Sequence, residues 1–600
     1  MTYHIDFQPV GRRGECPAGL SLLECARRLG VDLVNICGGA GTCGRCIVQV
    51  LEGTLSPPTP GEGKFLSPEA LAEGYRLACR ATPLSHCKVR VPPESLTTPQ
   101  RTQVEGEETS IEPDPPVRSY LVTLAPPSIE DLRPDAERLL DALAEQHGVA
   151  ATQVELAVLR DISPCLRDSH WQVRAVVREG RNVVALLPPE ARPLGLAVDV
   201  GTTKVAAYLM DMESGRTLAA RGIMNPQIAY GEDVVARMTY ASQDPDQARR
   251  LQSLVIDALN HTAAEMATEV GVQPSDIVET VIVGNTAIHH LILKLPVTQL
   301  ARAPYVPAVD AALDLKACEL GLHIAPGGTV HLLPNIAGYV GADHVSMLLA
   351  TGVTQAEGVV LAIDIGTNTE VCLVNHGRLT SLSCASGPAF EGAHIKHGMR
   401  AASGAIERVR FVDGRLEYQT IGGTPPVGLC GSGILDVLAQ LYQAGIVNRG
   451  GRMQLDHPQA RETDGEREFV LVEGGRRPAI TFTQKDVREL QLAKGAMRTG
   501  IQVLLEVNGL VAEDIDQVVI AGAFGTYIDV ASAIAIDMLP RLPLERFRQV
   551  GNAAGMGAKL ALISRSKRAE AQAIAARVDY VELASAPNFM KAFAQSMYLE

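Results

Sequence analysis

The sequence predicts a multidomain α/β protein: a thiol-centred module first, a small α+β domain next, and a bilobed domain over the remainder. Three observations predict it. The chain has 600 residues, too many for a single hydrophobic core. One stretch, Cys37-Gly-Gly-Ala-Gly-Thr-Cys43-Gly-Arg-Cys46, sets three thiols in a Gly-rich loop. Finally, Leu196-Ala-Val-Asp199-Val-Gly201-Thr202-Thr203 recurs 165 residues later as Leu361-Ala-Ile-Asp364-Ile-Gly366-Thr367-Asn368. An internal duplication of that kind signals paired structural units.

Composition narrows the function. Hydrophobic residues make up 46% and charged residues 20%, ordinary for a globular protein. The formal charge of −14 argues against a nucleic-acid partner. One Trp and 4% aromatics leave no evident base-stacking surface. No signal-peptide pattern opens the chain, and no apolar run reaches the roughly 18 residues of a membrane span. A cytoplasmic protein is expected. Beyond the cluster thiols, the Cys residues are scattered without a framework, as befits a reducing compartment.

Glycines in the 37–46 loop let the backbone curl tightly and point amides at sulfide. Four thiolates hold a 2Fe–2S cluster; plant-type ferredoxins leave four residues in the first gap. Here the gap is five, which resembles the adrenodoxin-type variant. Cys37, Cys43 and Cys46 supply three ligands. Cys79 is the preferred fourth, because Arg76-Leu-Ala-Cys79 resembles the ferredoxin fourth-ligand segment; Cys87 is the rival. Zinc is the alternative metal, but structural zinc usually pairs two Cys-x-x-Cys knuckles, and only Cys43–Cys46 is one. Gly39-x-Gly41-x-x-Gly44 also spells a dinucleotide fingerprint, yet a strand-like run, Ile47–Leu51, follows where a helix is required. His4–Phe7 reads as an edge strand, Leu20–Leu29 as a helix, Cys46–Leu51 as a strand, and Lys88–Val91 as the strand closing the sheet. Residues 1–92 thus resemble a β-grasp ferredoxin domain.

Residues 93–117 are rich in Pro and Glu and cannot build a core, so a flexible tether is expected there. Residues 118–190 read as a small α+β middle domain, with strands at Tyr120–Leu124 and Trp171–Val177 and one helix near Ala136–His147. Its expected role is docking or spacing.

From 194 to 600 the duplication governs. Asp276-Ile-Val-Glu-Thr-Val-Ile-Val-Gly284 is answered at an offset of 238 by Asp514-Ile-Asp-Gln-Val-Val-Ile-Ala-Gly522. Each follows a helix, near 246–270 and 485–508, with apolar residues on one face. Lobes of about 194–350 and 355–600, each with an early Asp-x-Gly-Thr hairpin and a late strand ending in Gly, resemble an actin-like (ASKHA) ATPase. The chemistry follows from the residue types. Gly turns the hairpin tightly enough for backbone amides and the Thr hydroxyl to face phosphates. The Asp at the strand end holds Mg²⁺ through its waters or orients the attacking water. The first loop supplies Asp199, Gly201, Thr202, Thr203 and Lys204. The second supplies Asp364, Gly366, Thr367, Asn368 and Glu370. Asp199 and Asp364 are the candidate catalytic residues. Ala521-Gly522-Ala-Phe-Gly525 resembles the adenosine-binding turn of the superfamily, which brings in Gly522 and Gly525. No Walker sequence is present.

Other histidine and serine motifs point less sharply. His289-His290 reads as a structural pair at a helix start. His394-x-x-His397 has metal-ligand spacing without a carboxylate to complete it. Ser386, in the 383–392 small-residue loop, reads as cleft backbone, with contact to a partner's metal centre as the alternative.

Taken together, the 2Fe–2S module, linker, middle domain and actin-like ATPase resemble the reductive activators of corrinoid proteins. The resemblance is carried also by Val283-Gly-Asn-Thr-Ala-Ile-His-His290 and Pro334-Asn-Ile-Ala-Gly338-Tyr-Val-Gly341-Ala-Asp343. Some relatives carry a C-terminal Cys-rich cluster; here the last Cys is Cys430. The resemblance implies one-electron return of inactive Co(II) to Co(I) on a corrinoid protein of a methyltransferase system, driven by ATP. It also implies an upstream low-potential reductant, and a homodimer is compatible with it. A plant-type cluster sits near about −400 mV, Co(I) formation is harder still, and each 100 mV uphill costs about 2.3 kcal/mol per electron. ATP binding can supply that only through differential affinity for two states. Three alternatives stay open: an ATP-driven donor to another low-potential metalloenzyme, a ferredoxin-fused small-molecule kinase, and a plain electron-transfer subunit with a structural, non-hydrolysing ATPase lobe.

Overall fold

The computed structural model describes residues 2–8, 11–29, 31, 33, 39–42, 44, 46–92, 95, 104–107, 111–392, 394–412, 414–474, 479–522 and 524–600. The N-terminal module is a five-stranded sheet in the order Arg12–Pro17, Thr2–Gln8, Cys87–Arg90, Ile47–Glu52, Tyr75–Leu77. The first strand runs antiparallel to Arg12–Pro17 and parallel to Cys87–Arg90, the mixed pairing of a β-grasp. Two sequence expectations are corrected here. Thr2–Gln8 is internal, not an edge, and Cys87–Arg90 lies at the centre of the sheet. An edge is Arg12–Pro17, whose Arg-Arg-Gly-Glu start hides its strand character; Arg12 and Arg13 are taken up by contacts to the bilobed domain. The helix Leu22–Arg28 opens on a capping box in which Ser21 and Glu24 satisfy each other's backbone amides. It buries Leu22, Leu23, Cys25 and Ala26 against the sheet.

The small domain is a four-stranded sheet in the order Val117–Thr123, Gln172–Arg178, Asn182–Leu187, Gln153–Val154. It carries two helices, Asp135–His147 and Leu156–Asp168. The second was not anticipated, because Pro164 lies inside it and normally breaks a helix.

The duplicated region forms two six-stranded sheets. In the first lobe the order is Thr217–Met224, Lys204–Asp211, Leu194–Val200, Ile277–Gly284, Thr329–Leu332, Leu313–Lys316. In the second it is Phe547–Gly551, Gln517–Ala521, Val359–Ile365, Thr369–Asn375, Arg378–Cys384, Val578–Tyr580. The repeat holds at the level of register. Asp199 sits opposite Val283 and Asp364 opposite Ala521, each one residue before a strand-ending Gly. Behind the sheets lie the long helices Pro245–Val270 and Gln484–Asn508. The helix Ala553–Ile563 crosses back from the second sheet to pack on Leu194–Val200, Ile277–Gly284 and the helix Ala342–Thr351. Lobe membership therefore does not follow chain order.

Residues 104–107 and 114 depart from the tether expected over 93–117: they are bonded to the ATPase-like domain. Tyr208 Oη donates to the Val104 carbonyl (2.8 Å), the Glu107 amide to Val550 (3.1 Å) and the Asn552 amide to Glu105 (2.9 Å). Further on, the Asp114 amide donates to Ile563 (2.8 Å) and the Arg565 amide to Asp114 (2.9 Å). Composition argued against a core, but a strap needs only backbone partners, and these rows supply them.

Candidate functional site

Two sites take shape, a thiol loop and an interlobe cleft. In the loop, Cys46 is buried and Cys79 half-buried; Cys37 and Cys43 lie outside the described residues. The Ala78 amide donates to the Cys46 carbonyl (2.8 Å), which sets the Cys46 and Cys79 segments side by side. Arg80 reaches back to the Ala40 carbonyl. Gly41 has φ +71°, a left-handed conformation that favours glycine, and packs against the Arg80 guanidinium. Cys87 differs from Cys79. Its thiol donates to the Ser85 carbonyl (3.3 Å) and the Thr54 carbonyl (3.7 Å), and burial pushes its pKa up. Cys87 is thus held in the central strand, away from the paired Cys46 and Cys79 segments. The paired Cys46 and Cys79 segments and the left-handed glycine turn fit a 2Fe–2S cluster.

In the cleft the two hairpins meet: Thr203 Oγ1 and Thr367 Oγ1 are 3.2 Å apart. Asp199, Gly201, Thr202, Thr203 and Lys204 line it from one lobe. Asp364, Gly366, Thr367, Asn368, Glu370 and Gly522 line it from the other. Gly525 does not line it; its carbonyl accepts Gln549 Nε2 (2.6 Å), so it shapes the 521–525 turn. Gly522 has φ +92°, and a Cβ there would come within 2.5 Å of Asp364 Oδ1. The first hairpin is braced from behind by wholly buried Arg237, whose Nη2 donates to the Thr202 carbonyl at 2.5 Å. Asn225 Nδ2 donates to the Gly201 carbonyl at 2.8 Å. Asn285 Nδ2 donates to Thr202 Oγ1 at 3.1 Å.

The cleft is lined by groups of both charges. Burial raises Asp199 to about 7, with the Asp343 charge adding to it. Burial, then Asp343 and Asp199, raises Asp364 to about 8. Burial raises Asp343 to about 6, and Glu370 is pushed well above its ordinary range by burial and by Asp343 and Asp364. Uncompensated carboxylates in such a place call for a cation. Among the described residues no three or more His, Cys, Asp or Glu side chains converge to hold a metal by themselves. Mg²⁺ normally takes only one or two carboxylates, with phosphates and water completing its shell, so these residues fit it. Lys204 and Arg400 line the same cleft, and the Glu391 charge acts on both.

Sequence reading did not assign Asp343, Asn552, Arg400 or Glu391. Asp343 could have been found from Gly341-Ala-Asp343 at the start of the helix Ala342–Thr351; Asn552, which bonds Asp199, had no local signal. Phe390 and Phe524 stack at the cleft edge, 4.8 Å between centroids. His290 is structural: Nδ1 is 2.8 Å from the Thr286 carbonyl, and Nε2 accepts the Ala308 amide (2.9 Å). His394 faces Glu232 at 3.7 Å, and His397 offers its backbone carbonyl to Arg12. Ser386 is buried against Thr369 Oγ1 (2.9 Å) and the Thr367 carbonyl (3.3 Å) in this conformation.

The N-terminal module sits across the mouth of this cleft. Buried Arg12 donates to Leu29 within its own module (2.7 Å), and to His397 (3.1 Å), Gly398 (3.3 Å) and Val427 of the second lobe. Arg13 (2.7 Å) and Gln8 (3.1 Å) hold Glu232 of the first lobe.

Comparison with known proteins accounts for the whole arrangement. Four family models tile the chain: the 2Fe–2S iron–sulfur cluster binding domain over 5–84, the RACo linker region over 106–192, the RACo middle region over 194–356, and the C-terminal ASKHA domain of RACo over 358–600. In that division the α+β domain belongs to the linker region, and the middle region is the first lobe. The chain is 33% identical over 580 residues to the corrinoid activation enzyme RamQ of Eubacterium limosum, covering 94% of each. It is 24% identical over 430 residues to the [Co(II) methylated amine-specific corrinoid protein] reductase of Methanosarcina barkeri, covering 66% of this chain and 75% of the relative. A solved reductive activator for corrinoid, iron–sulfur protein matches with TM-score 0.73 and 36% identity, covering 100% of this chain and 98% of that one.

Proposed function

Since this chain belongs to the RACo family of reductive activators, we propose how its residues carry out the family's reaction, the ATP-dependent one-electron reduction of a corrinoid protein from Co(II) to Co(I). When bound, the 2Fe–2S cluster supplies the one-electron donor, and Cys37, Cys43, Cys46 and Cys79 would hold it. The observation that carries the nucleotide reading is the meeting of two repeated hairpins at Thr203 and Thr367. Their backbone amides and hydroxyls face one space and can grip phosphates from both lobes. Asp199 and Asp364 would hold Mg²⁺ or its waters and orient the attacking water, with Asp343 completing the acidic set. Gly522 and the Phe390–Phe524 pair border the adenosine end. A ligand touching both lobes favours the conformation in which they are together, and this differential affinity is what can drive an uphill electron.

The corrinoid protein would belong to a methyltransferase system, with a separate low-potential reductant recharging the cluster. Among the described residues no helix is long and apolar enough to cross a membrane, and a cytoplasmic setting suits the many thiols. The test is hydrolysis by Asp199→Ala and Asp364→Ala. Each should lose about 100-fold or more in ATP turnover, the scale of removing one electrostatic transition-state group, with the cluster's visible absorbance unchanged. Normal hydrolysis by both variants would falsify the site.

A further inference from the structure

We propose that Arg400 contacts the terminal phosphate of the ATP held between the hairpins, an inference that rests on the nucleotide reading above. Arg400 lines the cleft, and its buried Nε and Nη1 have no hydrogen-bond partner among the described residues. A guanidinium is a five-donor fork that cannot shed its charge. Leaving buried N–H groups unbonded costs more than most hydrogen bonds return, so each such group calls for an acceptor. A ligand entering the cleft can supply that acceptor.

Location identifies which part of the nucleotide it meets. Arg400 shares its charge environment with Lys204, the residue after the first hairpin, and with Glu391. Glu391 in turn accepts the Thr367 hydroxyl at the tip of the second hairpin. Arg400 therefore belongs with the hairpin tips. Asp199, Asp343, Asp364 and Glu370 line the same cleft. A cleft lined by carboxylates together with Lys204 and Arg400 matches a terminal phosphate carrying its divalent cation.

The segment bearing Arg400 is fixed, so the guanidinium is aimed before any ligand arrives. The Lys396 amide donates to Asp486 Oδ1 (2.8 Å) and its ammonium to Glu468 Oε2 (2.7 Å). Arg12 grips the neighbouring His397 and Gly398 carbonyls. The N-terminal module also roofs the guanidinium: a Cβ on Gly11 would lie 3.8 Å from Arg400 Nη1. Asp6, Arg13 and Glu232 surround it at longer range. Under that cover its attraction for an anion is less screened than in water.

The test measures binding of ADP and of a non-hydrolysable ATP analogue to the full-length, cluster-loaded protein and to its Arg400→Gln and Arg400→Lys variants. Arg400→Gln should lose about 10- to 100-fold in affinity for the ATP analogue, the range of a charge-assisted contact, and bind ADP within about twofold of wild type. Arg400→Lys should fall between, since it keeps the charge and loses the fork. Unchanged affinity for the ATP analogue in Arg400→Gln would overturn the proposal, as would an equal fall for both nucleotides. If the unmodified protein binds neither nucleotide, the nucleotide reading itself fails and the proposal with it.

Discussion

Two cysteines eight residues apart show how surroundings set chemistry at the residue scale. Cys79 lies half-buried beside the Cys46 segment. Cys87 lies in a central strand with its thiol donating to two carbonyls and its pKa raised, first by burial. Cys79→Ser should therefore lose or alter the cluster, read as visible absorbance and as iron and sulfide content. Cys87→Ser should leave both unchanged. The reverse pattern would make Cys87 the fourth ligand.

At the scale of an element, the 394–401 segment matters most, because it carries Arg400 and meets the N-terminal module. Its anchor is the pair Lys396–Glu468, 2.7 Å apart, with the Glu468 side chain only 4% exposed. Burial alone would raise Glu468; Lys396, Thr481 and Arg461 outweigh it and hold the carboxyl at about 2. The sign follows. A carboxyl whose folded pKa is depressed binds fewer protons in the native state, so it adds stability above its ordinary value of about 4.5. That contribution fades as pH falls from about 4.5 through about 2. Glu468→Gln should lower the melting temperature by several degrees at neutral pH. Its loss on acidification from pH 5 to 3 should be smaller than that of wild type. Parallel acid profiles for the two proteins would show that the pair does not anchor the segment.

At the scale of the whole molecule, the N-terminal module is docked across the cleft mouth, bonded to both lobes through Arg12, Arg13 and Gln8. Glu105, Glu107 and Asp114 are bonded to the 550–565 region. A truncation after residue 92 and one after residue 117 should therefore behave differently. The shorter truncation should keep ATP hydrolysis and bind the corrinoid partner, with ATP affinity reduced because Arg400 loses its roof. It should fail to reduce Co(II) unless an external low-potential donor is added. The longer truncation should melt at a lower temperature, since it leaves the Val550, Ile563 and Asp114-facing backbone groups without partners. Cobalt absorbance under anaerobic conditions checks the first pair of expectations and thermal melts check the last. Donor-independent reduction by either truncation would mean that the cluster is not the electron source.

Sequence by itself determined what is local or repeated. The thiol spacing, the Asp-x-Gly-Thr hairpins and the two long helices are each written in contiguous residues, because turn chemistry and helical periodicity act over a few positions. The duplication made the bilobed class legible before any contact was known. Local signals failed where a charged edge strand, Arg12–Pro17, or a helix with an internal proline, Leu156–Asp168, took its stability from tertiary neighbours. Only the tertiary structure decided that Asp343, Asn552 and Arg400 share one cleft with the hairpins, because they come from three separate elements. It alone turned a Pro- and Glu-rich segment into a strap, through hydrogen bonds to residues more than 400 positions away. Such pairings depend on where distant backbones end up, and no window along the chain contains both partners.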